Sequence, residues 1–310
     1  MTDAVVRDPG PARPPPSYGG GARAERGSRS SGLTATVLIG PATIFIALCL
    51  LGPLAILLRY SLNEFVPTRK MMVEALTIAN YVKFFTDPYY TTILGTTVRI
   101  AVTVTVACLI IGFPLAYVVA RSQSRFKHLL IIAIVLPLFV GNAVRAAGWM
   151  VVFGSKGFFN STLMDFGLIA QPFEIMFTEK AVIIGIIAVN LPFMVLSLQS
   201  VIEGIDRAVE EAAYSLGAPP ATMFRRVLWP LALPGILAGT ILTFILAMNA
   251  YATPFLLGGP LFKMMAPVIY NEFTQKTNWP FGGAIAFILM AVTLSLTIAA
   301  NLILQRRAAR

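Results

Sequence analysis

The residues able to do chemistry are few, and most lie inside apolar stretches. Arg99, Arg145, Asn142, Asn190, Gln199, Asn249 and Tyr251 are all flanked by long aliphatic runs. A charge at membrane depth is costly and marks a function by default. Arg145, Asn142, Asn190, Asn249 and Tyr251 are therefore candidates to line a translocation path and to hydrogen-bond a hydrated solute. The alternative for Arg145 is a structural bond to backbone carbonyls. For the uncharged residues it is glue between helices. Arg99, near the start of its stretch, reads more simply as a side chain snorkelling to the outer interface. The stretches carry no clear acid, which disfavours a tight dication pocket within this chain.

Metal, redox and nucleotide chemistry find little support. Cys49, Cys108 and the single His128 have no Cys or His partner near them in sequence, so neither a zinc spacing nor a disulfide framework is present. The cysteines read as small buried hydrophobes, and His128, after a basic loop, reads as an interfacial residue. The chain contains no Gly-x-x-x-x-Gly-Lys-[Ser/Thr] phosphate loop. No cofactor, metal or catalytic residue is expected, and any ATP hydrolysis belongs to a separate protein.

One polar segment, 203–230, has a shape of its own. Asp206 is a good helix N-cap, and Glu210 and Glu211 suit the early turns that follow. Val209, Ala212, Ala213 and Leu216 fall at the spacing of one apolar face. Gly217 is a natural left-handed helix end, and Pro219-Pro220 permits a fresh helix start. The segment predicts a short amphipathic helix, a sharp turn and a second helix feeding the next apolar stretch. Such a helix is suited to dock in a groove on a partner. The other reading is a helix resting on lipid, against which stand the two small alanines, the acid pair and the terminal glycine.

The elements that must position these residues follow from composition. Of 310 residues, 57% are hydrophobic and 12% charged, about half the charged share of a soluble domain. A soluble core could not hide that apolar surface, whereas a bilayer accepts it. The prediction is an all-α membrane protein of six transmembrane helices, at 33–58, 93–120, 129–153, 181–201, 234–257 and 281–304. Residues 1–32, rich in Pro, Gly, Ser and Arg, read as a disordered tail, with a retained first membrane helix after it rather than a cleaved signal peptide. The transmembrane domain runs over 33–305, and 306–310 form a second tail. Pro53, Pro114, Pro137, Pro192 and Pro254 lie within the stretches and are expected to kink them.

The net charge of +10 does not point to nucleic acid, because the basic residues sit in the tails and loops rather than along one face. The N-terminal tail, the 121–127 loop (Arg121, Arg125, Lys127), the 203–229 loop (Arg207, Arg225, Arg226) and the C-terminal tail are basic. These are alternate segments, so the positive-inside rule puts both termini in the cytoplasm. The first external loop is the weakest vote, since Arg59, Arg69, Lys70 and Lys83 lie in it.

The segment 203–230 also resembles a known family. Glu211-Ala212-Ala213, then Gly217, Val227 and Pro230 at their spacings, are similar to the EAA loop of binding-protein-dependent importer permeases, with Val227 and Trp229 where that family has Ile and Leu. Stretches 155–160, 175–178, 191–194 and 278–282 resemble the spermidine and putrescine permeases, B subunit above all. Residues 252–259 fit the wider group that carries opines and amino-acid-like solutes at least as well. The resemblance implies an importer-permease bundle in a bacterial inner membrane, with a cytoplasmic coupling helix docked on an ATPase dimer. It also implies a second homologous permease and an extracytoplasmic solute-binding protein. Polyamines are the expected substrate, with opines or amino-acid-like solutes as the alternative. An ion-coupled secondary carrier is a further rival. It would need intramembrane acids or broken helices, and it would leave the EAA loop without a role.

Overall fold

The computed structural model describes residues 28–66, 71–260 and 262–308, with the backbone alone for 28–39, 71 and 303–308. The sequence reading of 1–27 as a disordered tail lies outside the described residues. Contacts divide the chain into two units, 1–55 and 56–310. The first consists, among described residues, of most of helix α1 (Ser28–Ser61). From residue 40 on, that helix is apolar on all sides, and Ile44, Phe45, Leu48 and Leu51 are all exposed. Cys49 is exposed as well, against the expectation of burial; Cys108 is buried as expected.

The second unit opens with a hairpin, β1 (Glu64–Val66) against β2 (Met71–Val73), antiparallel with Phe65 opposite Met72. Helix α2 (Ala79–Thr86) follows, and Asp87 then caps α3 (Pro88–Arg121) by accepting from the Tyr89 amide. Next come α4 (Lys127–Val135), a 3₁₀ turn at Leu136–Phe139, α5 (Asn142–Phe153), α6 (Phe158–Asp165) and α7 (Glu179–Glu203). The chain continues through α8 (Arg207–Ser215), α9 (Pro220–Met223), a π turn at Phe224–Leu228, α10 (Trp229–Leu231) and α11 (Leu233–Met248). It ends with α12 (Ala252–Leu257), α13 (Met265–Thr274) and α14 (Trp279–Ala308).

The core of this unit is α3, α7 and α11. Their close approach depends on small residues, as expected where lipid supplies no hydrophobic drive between helices. The Met194 side chain of α7 lies between two glycines. A Cβ on Gly112 of α3 would stand 3.0 Å from Met194 Cγ, and one on Gly239 of α11 would stand 2.7 Å from its sulfur. Ile100, Val104, Cys108, Val195, Leu198 and Ile202 complete the buried layer.

Four helices are long and apolar enough to cross a membrane as single rods, and two bent pairs bring the number to six if each pair is one span. The predicted continuous helices at 129–153 and 234–257 are therefore corrected to broken ones. Residues Lys127–Phe139 and Asn142–Asp165 meet at 102°. Pro137 tightens the end of the first piece, and Val140 and Gly141 are extended. The other bend, 70° between Pro220–Leu231 and Leu233–Met248, falls just before Pro234 in the first turn of α11. Helix α11 then stops at Met248, ahead of α12. Pro254 explains the stop, since its ring would clash with the carbonyl of Ala250 in a continuous helix. Pro53, Pro114 and Pro192 stay inside their helices.

Candidate functional site

The 203–230 segment folds as a helix, a turn and a second helix. The Asp206 carboxylate accepts from the Ala208 amide at 2.9 Å and starts α8. At the far end Gly217 takes φ +78°, and the Ala218 amide reaches back to the Ala213 carbonyl at 3.1 Å while that of Gly217 reaches Tyr214 at 2.9 Å. This pair of bonds satisfies the last carbonyls of the helix and turns the chain sharply.

Most of the apolar face named from the sequence is uncovered by this chain. Ala213 is buried, but Val209 is 41% and Leu216 88% exposed, and Glu211 and Ala212 are exposed too. The inward face is built on Glu210, 7% exposed. Its carboxylate accepts from Arg121 Nε at 2.8 Å and from Tyr117 Oη at 2.9 Å, both at the end of α3. Arg121 also donates to the Ile205 carbonyl, and Arg207 donates to the Arg121 carbonyl at 2.6 Å. Lys127 and Glu203 add an ion pair at 2.8 Å. The basic residues read as orientation signals thus also clamp the loop. Sequence spacing could not reveal this, although a polar cluster at the end of an apolar helix was a usable hint. Beyond the turn Trp229 stacks on Phe113 with centroids 5.6 Å apart, and Phe224 meets the same ring edge-on at 5.1 Å. Val227 is half-buried and Pro230 exposed.

The five path candidates meet in one place. Asn142, Arg145, Asn190, Asn249 and Tyr251 all line a cavity of about 310 Å³ among α5, α7, α11 and the 249–251 break. Among the described residues that line it there is no acid. Arg145 donates through Nη2 to the carbonyls of Pro137 and Val140, the latter at 2.8 Å. It thereby satisfies backbone groups freed by the break in the third span. Its Nε and Nη1 are covered and without a hydrogen-bond partner, as is Nδ2 of Asn190. Arg145 thus makes the bond to backbone carbonyls weighed from the sequence, and it also lines the cavity. Asn249 Nδ2 is occupied by the Ile245 carbonyl at 2.9 Å. Tyr251 lies against Tyr270, ring centroids 4.7 Å apart.

Gln199 lies outside the cavity and donates to Glu203 at 3.2 Å. Arg99 is paired with Glu179 at 2.7 Å rather than simply snorkelling. The quoted stretches serve as joints. Asn160, fully buried, donates to the carbonyls of Gly154 and Phe173 and accepts from the Phe173 amide. Phe177, at φ +63°, donates its amide to the Leu257 carbonyl at 2.9 Å, and Asn278 caps α14 by accepting from the Phe281 amide. Among the described residues no group of His, Cys, Asp or Glu is placed to hold a metal.

Four to six apolar spans, a polar cavity beside the breaks at 140–141 and 249–251, and a clamped helix with an exposed face describe a multi-pass membrane protein. The profile described as "Binding-protein-dependent transport system inner membrane component" matches residues 97–310, and the chain belongs to that family. It is 37% identical over 235 residues to the "Spermidine/putrescine transport system permease protein PotB" of Haemophilus influenzae, covering 75% of this chain and 82% of that one. The "Inner membrane ABC transporter permease protein YdcU" of Escherichia coli is 31% identical over 272 residues, 83% and 85% of the two chains. In fold the chain is similar to one in the "bacterial alginate ABC transporter in complex with alginate pentasaccharide-bound periplasmic protein" (TM-score 0.70, 19% identity, 90% and 96% coverage). It is also similar to one in the MetNI methionine ABC transporter (TM-score 0.55, 17% identity, 72% and 100% coverage). The protein is therefore a multi-pass inner-membrane permease subunit of a binding-protein-dependent ABC importer.

Proposed function

We propose that this permease carries a polyamine of the spermidine or putrescine type inward, and that α8 is its coupling helix, docked on a cytoplasmic ATPase dimer. A second homologous permease and an extracytoplasmic binding protein complete the assembly. The chain itself performs no catalysis. Both termini and the 203–230 loop face the cytoplasm. The observation that carries the coupling role is the division of α8. Its inner face is fixed to α3 through Glu210, while Glu211, Ala212 and Leu216 stay exposed on a helix whose end Gly217 turns back. The substrate rests on the names of the relatives. The cavity, with one arginine and no lining acid, suits a weak passage whose selectivity is set by the binding protein.

Uptake of labelled putrescine and spermidine by the assembled complex in liposomes is the test, with ATP hydrolysis followed alongside. Uptake of an opine or amino acid with no polyamine transport would replace the substrate and keep the importer. Uptake without ATP would remove the coupling role of α8. Cysteine labelling from outside at Ser161, and only from inside at Ser28 and Gln305, is expected.

A further inference from the structure

Two side chains in the 249–251 cavity present donors that no group among the described residues meets. Arg145 stands on α5 just past the break at 140–141, within the third apolar stretch. Its Nη2 is taken by the carbonyls of Pro137 and Val140, but Nε and Nη1 are covered and have no hydrogen-bond partner. On α7, Asn190 is 2% exposed, and its Nδ2 is likewise covered and unpartnered. Both residues line the same cavity of about 310 Å³.

These unmet groups are all N–H donors, and two of them belong to a fixed positive charge. A covered charge is ordinarily paired, and water meets donors without balancing a charge. Arg145 makes no ion pair among the described residues, and the cavity lining holds no acid. The complement of this set is a negatively charged acceptor. Arg145 is also the one cation among the lining residues described, which sets the acceptor's charge at minus one. A multiply charged anion would leave uncompensated negative charge where the dielectric is low. Size agrees as well. A water-sized anion fills about 30 Å³, roughly a tenth of the cavity, so a solute has room beside it.

We infer that Arg145 and Asn190 form a seat for a small monovalent anion of the chloride class, held by the free N–H groups of the guanidinium and by Nδ2 of the amide. The seat deepens the transport reading and rests on the cavity being the translocation path. Left bare, the arginine would repel each ammonium group that passed, most strongly where water is scarce. With the anion bound, that wall of the path is neutral. A lining without an acid can then admit a polyamine, because the counter-charge comes from solution.

Binding of radiolabelled chloride to the assembled complex is the test, with gluconate as the replacing anion at constant ionic strength and no solute present. Saturable binding is expected in the wild type. Arg145→Gln and Asn190→Leu should each weaken it about tenfold or more, since each removes a hydrogen bond to a charged group. Arg145→Lys, which keeps the charge, should bind more tightly than Arg145→Gln. The loss from wild type to variant is what is read, so ions held by other subunits cancel. Binding unchanged in both variants, or no saturable binding in the wild type, would overturn the seat. The charge of Arg145 would then be met by a carboxylate of a partner subunit. Should Arg145→Gln fail to assemble, Asn190→Leu, which leaves the charge in place, decides. Displacement of the chloride by an opine or amino acid, with putrescine inert, would also overturn the inference, because the seat would then take the solute's own carboxylate. Uptake of putrescine is measured separately and should be slower in gluconate than in chloride. No polyamine uptake in either medium would refute the polyamine reading alone, since chloride binding is scored without solute.

Discussion

Glu210 is the residue whose removal should disturb the coupling segment most. Its side chain and that of Arg121 are 9% and 13% exposed, so solvent screens the pair little. Breaking a buried pair by removing one partner costs about 3–5 kcal/mol. Here the remaining Arg121 keeps its bond to the Ile205 carbonyl, and Glu210→Gln keeps an acceptor for Tyr117. We therefore expect about 2–3 kcal/mol, in the range for charged hydrogen bonds. The loss falls on the seating of α8 against α3, not on the membrane spans. At about 1.4 kcal/mol per factor of ten, local opening of α8 should become roughly 30- to 150-fold more frequent. Hydrogen exchange of the 205–218 peptide, followed by mass spectrometry in the ATPase-free permease, reads this directly. Arg121→Gln should give a similar change, and the double variant should be little worse than either single one. Unchanged exchange in Glu210→Gln, or two effects that simply add, would refute the clamp.

Gly217→Val should weaken co-purification with the ATPase while leaving membrane insertion unchanged, because a β-branched residue at φ +78° costs on the order of 1–3 kcal/mol; Gly217→Asn should be milder. Asn160→Leu should lower the thermal stability of the 154–173 loop, since it orphans the Phe173 amide and two carbonyls, each unmet buried group costing about 1–3 kcal/mol. Proteolysis between α6 and α7 would report the loss, and an unchanged cleavage rate would show that the knot is dispensable. Arg99→Gln should change stability by no more than about 1 kcal/mol, because the Arg99–Glu179 pair is 62% and 35% exposed and solvent-screened; a larger fall in melting temperature would assign it a deeper role.

What could be read from the sequence was what is local. The Asp206 cap, the left-handed Gly217 and the restart at Pro220 depend on neighbours within a few residues, and all three geometries are present. The partners of Glu210 lie 89 and 93 residues away, and no spacing rule joins them. The pattern of α8 named its apolar side, but only α3 decides that Glu210 and Ala213 are the residues covered within this chain. The broken spans show a second limit. Hydropathy runs unbroken through 129–153 and 234–257, and prolines in α3 and α7 do not break their helices, so Pro137 and Pro254 alone could not announce the breaks. The five polar residues were singled out by type alone, and their shared cavity comes from the placing of α5 against α7 and α11, which no sequence spacing carries. The hairpin carried no strand alternation.

The packing of Met194 between Gly112 and Gly239 bears on how this chain can change over time. A methyl group gained on α3 or α11 at that level would meet the thioether, and a shorter residue at 194 would leave a void flanked by two bare backbones. The three positions, on three different helices, therefore share a single steric allowance. We expect tolerated substitutions there to occur as compensating sets, and any one of them introduced singly to be selected against on packing alone.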